Sequence, residues 1–332
     1  MTSTAPTSRL ARIAPWLAGL WAATYLPLAL LHLARDTSPP WTPTPASVLG
    51  SVPLGPGVAL VAVLAALAGI ALAVTVTTVS SPRVRRAAAW LLAAVGLVVT
   101  LAVADVRTLS FLGYGPMLIL GALGIGPVTD PGQAVMVDSL RSLGSSLGGA
   151  GMLVTAALTL SRPGRQPRWW DAAGARRIGA WAVAVAVLAP VTYAVTRLAW
   201  AVGIPLGVRD EFLVELGEGR WAGLGLGLFA MVGALLTLGL VQRWGRVFWS
   251  WLPVVGGRAV PVALAVVPGV FVALVVTSGG LAFWGMLLSG HLGDIPGAEQ
   301  DWAAWAPELL WPAWGVALAV ATLAYRRGRT LS

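Results

Sequence analysis

The 332 residues are 57% hydrophobic and only 11% charged, with a mean hydropathy of +0.81 and a net charge of +9. A water-soluble domain of this size needs a far more charged surface, so composition excludes that class. The chain has no cysteine, no lysine and no asparagine, which removes disulfides, thiolate metal sites and N-glycosylation. A pI of 11.4 would suit a nucleic-acid partner. The arginines instead sit between apolar runs, where they set orientation in a bilayer, so the expected partner is lipid and not nucleic acid.

Taken in chain order, the apolar runs predict an all-α polytopic transmembrane helix bundle of about eight spans. A helix crosses about 30 Å of hydrocarbon in about 20 residues. Residues 1–13 form a tail carrying Arg9 and Arg12. The run 14–34 is long for a cleaved signal and reads as a first span. The next spans are 57–80, 87–107, 143–161, 178–202, 220–241, 259–283 and 307–325. With the N-terminus in the cytoplasm, 16 of 22 arginines fall inside, among them Arg83, Arg85, Arg86, Arg162, Arg165, Arg168, Arg176 and Arg177. Only Asp171 of the 13 acids joins them. The arginine rule therefore puts both termini in the cytoplasm of a bacterial plasma membrane. The stretch 109–126 is also apolar but holds Gly113, Gly115, Pro116, Gly121, Gly124 and Gly126. It reads as a re-entrant or interfacial segment on the outer side; the alternative is that it crosses and 143–161 lies on the inner surface.

The eight spans divide as four plus four. Arg86–Gly113 aligns without gaps on Arg258–Gly285, with ten matches in 28 positions. Most are Ala, Leu or Val, so Arg86, Phe111 and Gly113 carry the weight. Thr24-Tyr25 parallels Thr192-Tyr193, and Gly151…Arg162 parallels Gly315…Arg326. The reading is a parallel tandem repeat, 14–165 and 166–332, related by an axis along the membrane normal.

Polar residues inside spans are functional candidates by default. Tyr25, His32, Asp105, Arg107, Tyr193, Arg197 and Glu308 gather at the outer helix ends and form a candidate polar vestibule. Tyr193 and Arg197 are one turn apart, with Trp200 continuing the face, and Tyr25 and His32 share the equivalent face of the first half. Asp105 or Glu308 would pair with Arg197. The competing reading for Arg197 is snorkelling to headgroups. Gly144-Ser-Ser-Leu-Gly148 matches a Gly-x-Ser-x-Gly nucleophile pattern and equally a Gly-x-x-x-Gly packing motif. Neither histidine offers Ser146 a recognisable relay, so no catalytic residue is assigned. Gly144, Gly148, Gly151, Gly223 and Gly227 are read as helix-packing glycines. No phosphate-cradling or metal-ligand motif is present and no cofactor is expected. Trp16, Trp90, Trp181 and Trp221 fit interfacial anchoring, as do Trp169-Trp170, Trp244, Trp249 and Trp251 beside arginines. Trp302 and Trp305 are read as interfacial or as a cap on the vestibule. Asp210 to Leu216 predicts a short amphipathic helix with acids toward water.

The pattern Gln242-Arg-Trp-Gly-Arg-Val-Phe, then Trp251-Leu-Pro and Gly257-Arg-Ala-Val-Pro261, resembles one in uncharacterised multi-pass membrane proteins of actinobacteria. That resemblance covers about twenty residues and implies no activity. The parallel repeat, the polar outer cluster and prolines within helices (Pro27, Pro190, Pro268, Pro312) lead to a small-molecule permease or binding component. A non-catalytic scaffold with a membrane-protein partner is the alternative, and an intramembrane enzyme the third.

Overall fold

The computed structural model describes residues 7–37, 47–77, 80–124, 133–161, 171–292 and 297–330. Among these the fold is all-α. Ten α-helices run in order: α1 Thr7–Arg35, α2 Leu54–Val76, α3 Pro82–Val98, α4 Arg107–Ala122, α5 Gln133–Leu160, α6 Ala172–Ala201, α7 Asp210–Leu216, α8 Gly219–Leu238, α9 Val262–Leu288 and α10 Trp311–Thr330. Eight stretches are long and apolar enough to cross a membrane: 11–35, 54–76, 82–103, 138–160, 173–201, 219–238, 262–288 and 306–329. Each overlaps a span expected from sequence. Arg162, Arg165, Arg168, Trp169, Trp170, Gly126 and the tail 1–6 lie outside the described residues.

Several boundaries have a local cause. Ser81 caps α3 by accepting the Val84 N–H, and Pro82 takes the first position, where no donor is missed. The helix thus starts ahead of Arg83, Arg85 and Arg86 instead of after them. Asp171 caps α6 through the Gly174 N–H at 2.7 Å. Pro27, Pro190 and Pro268 do lie within helices. Pro312 does not interrupt one. It is the second residue of α10, after a 3-10 segment over Ala306–Leu310, and a proline in a first turn costs no hydrogen bond. Of the 109–126 stretch, residues 109–122 lie in α4, which is too short to be counted among the eight. The short acidic helix α7 exposes Asp210, Glu211 and Glu215.

Large apolar side chains face outward along the spans. Trp16, Leu20, Ile70, Trp90, Trp181 and Leu236 are each more than 60% exposed. A bilayer solvates such a surface; water would not.

The chain forms two compact units. The first is Met1–Thr108 with Ala134–Arg165; the second is Leu109–Gln133 with Gln166–Ser332. Most of α4 therefore clusters with the second unit, although it precedes the midpoint of the chain. Its Gly113 lacks the side chain that would collide with Leu226 of α8.

In the first unit α1 packs on α2 and α2 on α3. Its core includes Trp21, Val61, Leu92, Val99 and Met152, all nearly inaccessible. Helix α5 closes on α1 through Gly148, which lies against the Trp21 ring, and Gly151, which lies against the Ala14 carbonyl. In the second unit α6 packs on α8 and α10, and α10 on α9. Gly280 accommodates the Pro312 ring.

One joint occurs in both units. The Thr100 hydroxyl donates to Gly96 O at 2.7 Å, and Gly149 of α5 sits against that turn. The Thr277 hydroxyl donates to Ala273 O at 2.7 Å, and Gly315 of α10 sits against it likewise. The ungapped sequence alignment places Val272, not Thr277, opposite Thr100. Its abundant Ala, Leu and Val matches are tolerant of register, whereas a glycine facing a back-bonded threonine is not. The turn that contains Thr100 widens to π geometry over Val99–Val103, which offsets the residues beyond α3 from its helical period.

Candidate functional site

The outer-end residues proposed from sequence fall into two clusters, one in each unit. In the second, Arg197 projects from α6 toward the start of the last span. Its guanidinium donates to Glu308 Oε1 at 2.8 Å, Ala303 O at 3.0 Å, Ala304 O at 3.4 Å and the Thr196 hydroxyl at 3.2 Å. It lies between the rings of Tyr193 and Trp200, 4.3 Å from each centroid. The side chains of Arg197 and Glu308 are 8% and 5% exposed, so the pair is sealed from solvent. Glycines make this approach feasible: Gly227 lies against the Arg197 Cβ and Gly223 near its Cδ. Snorkelling is therefore not what Arg197 does, because its side chain is enclosed. Its donors are spent on a carboxylate and on the backbone of the segment before α10.

The same corner has a second clamp. Asp301 accepts the Arg209 backbone N–H at 2.8 Å and its guanidinium at 2.7 Å. The hydrogen bonds from Arg209 hold the Asp301 carboxyl below its usual range, and Asp301 in turn raises Arg209. Trp302 lies against Gly207, whose missing Cβ admits the ring and whose φ of +70° also favours glycine. Trp305 donates to Ala298 O at 2.9 Å. Glu308 keeps Oε2, and Trp311 its indole N–H, without a hydrogen-bond partner among the described residues.

In the first unit the polar network is longer and partly open. The Trp21 N–H donates to Ser145, the Ser145 hydroxyl to Tyr25 at 2.9 Å, and the Tyr25 hydroxyl to Arg141 O. The Tyr25 ring stacks on Trp21 at 4.8 Å. Arg141 pairs with Asp138 at 3.0 Å, Asp138 with Arg107 at 3.2 Å, and Arg107 with Asp105 at 3.7 Å. The Asp105 N–H returns to the Ser142 hydroxyl at 3.0 Å, and Thr108 bonds both Ser142 and Ser146. A cavity of about 380 Å³ lies beside this network, lined by Leu20, Trp21, Thr24, Tyr25, Arg141 and Gly144 among others.

Sequence reasoning found Tyr25, Asp105 and Arg107 but missed Asp138, Arg141, Ser142 and Ser145. The available signal was polar residues every three to four positions from Asp138 to Ser145, one face of a helix. Gly144 was expected to pack. It has open space where a Cβ would stand and it borders the cavity; Gly149 and Gly96 are the close-packed glycines of that helix pair. His32 is half-buried and shares a hydrogen bond with the Thr37 hydroxyl at 2.9 Å. Ser146 is buried against Thr108. Among the described residues no group of three or more His, Asp or Glu is placed to hold a metal.

No protein family, curated protein or solved structure matches this chain.

Proposed function

We propose that this multi-pass membrane protein is a binding component, or permease, for a small polar molecule taken up beside Tyr25 in the first unit. The supporting observation is the cavity of about 380 Å³ that joins an apolar wall, Leu20 and Trp21, to the Tyr25–Arg141 corner of an ion-paired network. Ligand sites typically combine such a wall with a few convergent polar groups and occupy about 300–1,000 Å³. Both termini are cytoplasmic in this reading, which puts the cavity on the outer half of a bacterial plasma membrane. The clustering of arginines between spans supports that orientation. The test is mass spectrometry of small molecules retained by the protein purified in native membrane nanodiscs. Wild type retains a molecule that Gly144→Trp, which fills the open side, and Arg141→Ala both lose. Wild type carrying nothing that Gly144→Trp displaces would refute the reading.

The sealed Arg197–Glu308 corner favours a second reading, a non-catalytic scaffold whose fixed surface holds a membrane-protein partner. Co-purification that depends on Arg209 and Asp301, with no retained small molecule, would decide for it.

A further inference from the structure

Helices α8 and α9 are consecutive, yet they barely touch, whereas α2 and α3 in the first unit pack directly. The gap is a cavity of about 500 Å³. Its walls include Gly233 of α8, Leu264 of α9, and Trp314 and Leu318 of α10. The connection 239–261 covers its end with Phe248 and Trp249.

That connection is held firmly. An isolated bridge joins Val247 to Ala259. The Tyr325 hydroxyl donates to Gly245 O at 2.8 Å. Arg329 donates to Arg246 O at 2.9 Å and Val260 O at 3.1 Å. Gly245 packs so tightly on the Gly239 carbonyl that no Cβ would fit. The void is therefore capped at one end by a braced cover and not by a loose loop.

Two features point to an occupant. The Nε of Arg246, in the cover, is buried with no hydrogen-bond partner among the described residues. The cover is also basic. The cover carries Arg243, Arg246 and Arg258, Arg329 bonds to its backbone, and no acid occurs in 219–268 or 311–332. An apolar slot ending in an acid-free, arginine-bearing cover complements an amphiphile with a hydrocarbon tail and an anionic head. Basic pockets between transmembrane helices recognise phospholipid heads in this way.

We infer that this cavity holds one acyl chain of an anionic phospholipid, with its phosphate at Arg246. The site is separate from the Tyr25 cavity and does not rest on the function proposed there. Native mass spectrometry of the whole protein, titrated with phosphatidylglycerol or phosphatidylcholine in detergent, tests it. Wild type retains phosphatidylglycerol at least tenfold more tightly than phosphatidylcholine. Gly233→Phe fills the slot from a position with open space around it and abolishes retention of both lipids. Arg246→Gln leaves the slot and removes only the preference between heads. Thermal unfolding of both variants near the wild-type midpoint shows that the fold persists; Arg246→Ala replaces Arg246→Gln if the latter melts early. Equal retention of the two lipids by wild type, or undiminished phosphatidylglycerol binding by Gly233→Phe, overturns the inference. Retention of an uncharged apolar probe alone, with no phospholipid, overturns it as well.

Discussion

Arg197 and Glu308 meet at 2.8 Å in an enclosed corner, and the bond joins α6 to the segment that begins the last span. A buried ion pair is weak evidence of net stabilisation, because desolvation offsets the attraction. Its removal from one side is a different matter. Arg197→Ala leaves a buried carboxylate with one bond fewer and two backbone carbonyls, Ala303 and Ala304, without their donor. The expected loss is about 3–5 kcal/mol. Glu308→Gln keeps an acceptor for the guanidinium and costs less. The double variant Arg197→Met with Glu308→Leu loses less than Arg197→Ala alone. Thermal or denaturant unfolding in a fixed detergent ranks the three. If Arg197→Ala proves the mildest, the corner is not a structural clamp.

The glycines of α5 separate into two kinds. A methyl at Gly149 would collide with the Thr100 hydroxyl and the Gly96 carbonyl, and at Gly315 with Thr277 and the Ala273 carbonyl. Gly149→Ala and Gly315→Ala are each expected to cost about 1–3 kcal/mol, the range for overpacked sites. Gly144→Ala meets open space and leaves the unfolding midpoint unchanged or raises it. No loss at Gly149 or at Gly315 would mean that α3 and α5, or α9 and α10, do not approach so closely.

The Arg209–Asp301 clamp carries a pH signature. Asp301 has a native carboxyl held below its unfolded value by Arg209. The stability that follows is complete above the unfolded aspartate value, about 3.9. It is lost as pH falls through the lowered native value. Protection of the Arg209 and Ala303 amides, bonded to Asp301 Oδ1 and Gly207 O, relative to free-peptide exchange at the same pH, is therefore high at pH 5 and falls only below about pH 4. Hydrogen-exchange mass spectrometry of peptides covering 205–216 and 299–306 reads this directly. Asp301→Asn should exchange rapidly at pH 5 already.

Absence of cysteine makes the topology easy to probe, since every introduced thiol is unique. Glu215→Cys and Ser289→Cys should label from outside intact cells with an impermeant maleimide, and Arg258→Cys only after lysis. The opposite pattern would invert the orientation and place the arginine-bearing cover toward the exterior.

How legible the protein was in its sequence differed by level. The eight spans were readable because hydrocarbon demands about twenty apolar residues wherever a helix crosses. Tyr25, Asp105, Arg107, Arg197 and Glu308 stood out because polar groups are rare in such runs. Their partners did not. Asp138 pairs with both Arg107 and Arg141, the first a contact between residues distant in the chain, and the serines at 142 and 145 resembled ordinary packing residues. The apolar cavity beside Gly233 carried no signal at all, since leucines and glycines that border a void look like those that fill one.

Composition and the spacing of arginines thus determined the class of the molecule, its helices and the candidate polar positions, because solvation by lipid acts on each segment separately. Only the tertiary structure decided that Arg197 is enclosed, that Gly144 borders a cavity while Gly149 packs, and that most of α4 clusters with the second unit. Those outcomes depend on close contacts between residues distant in the chain, where a single methyl or one donor is enough to choose between arrangements that hydropathy treats as equal.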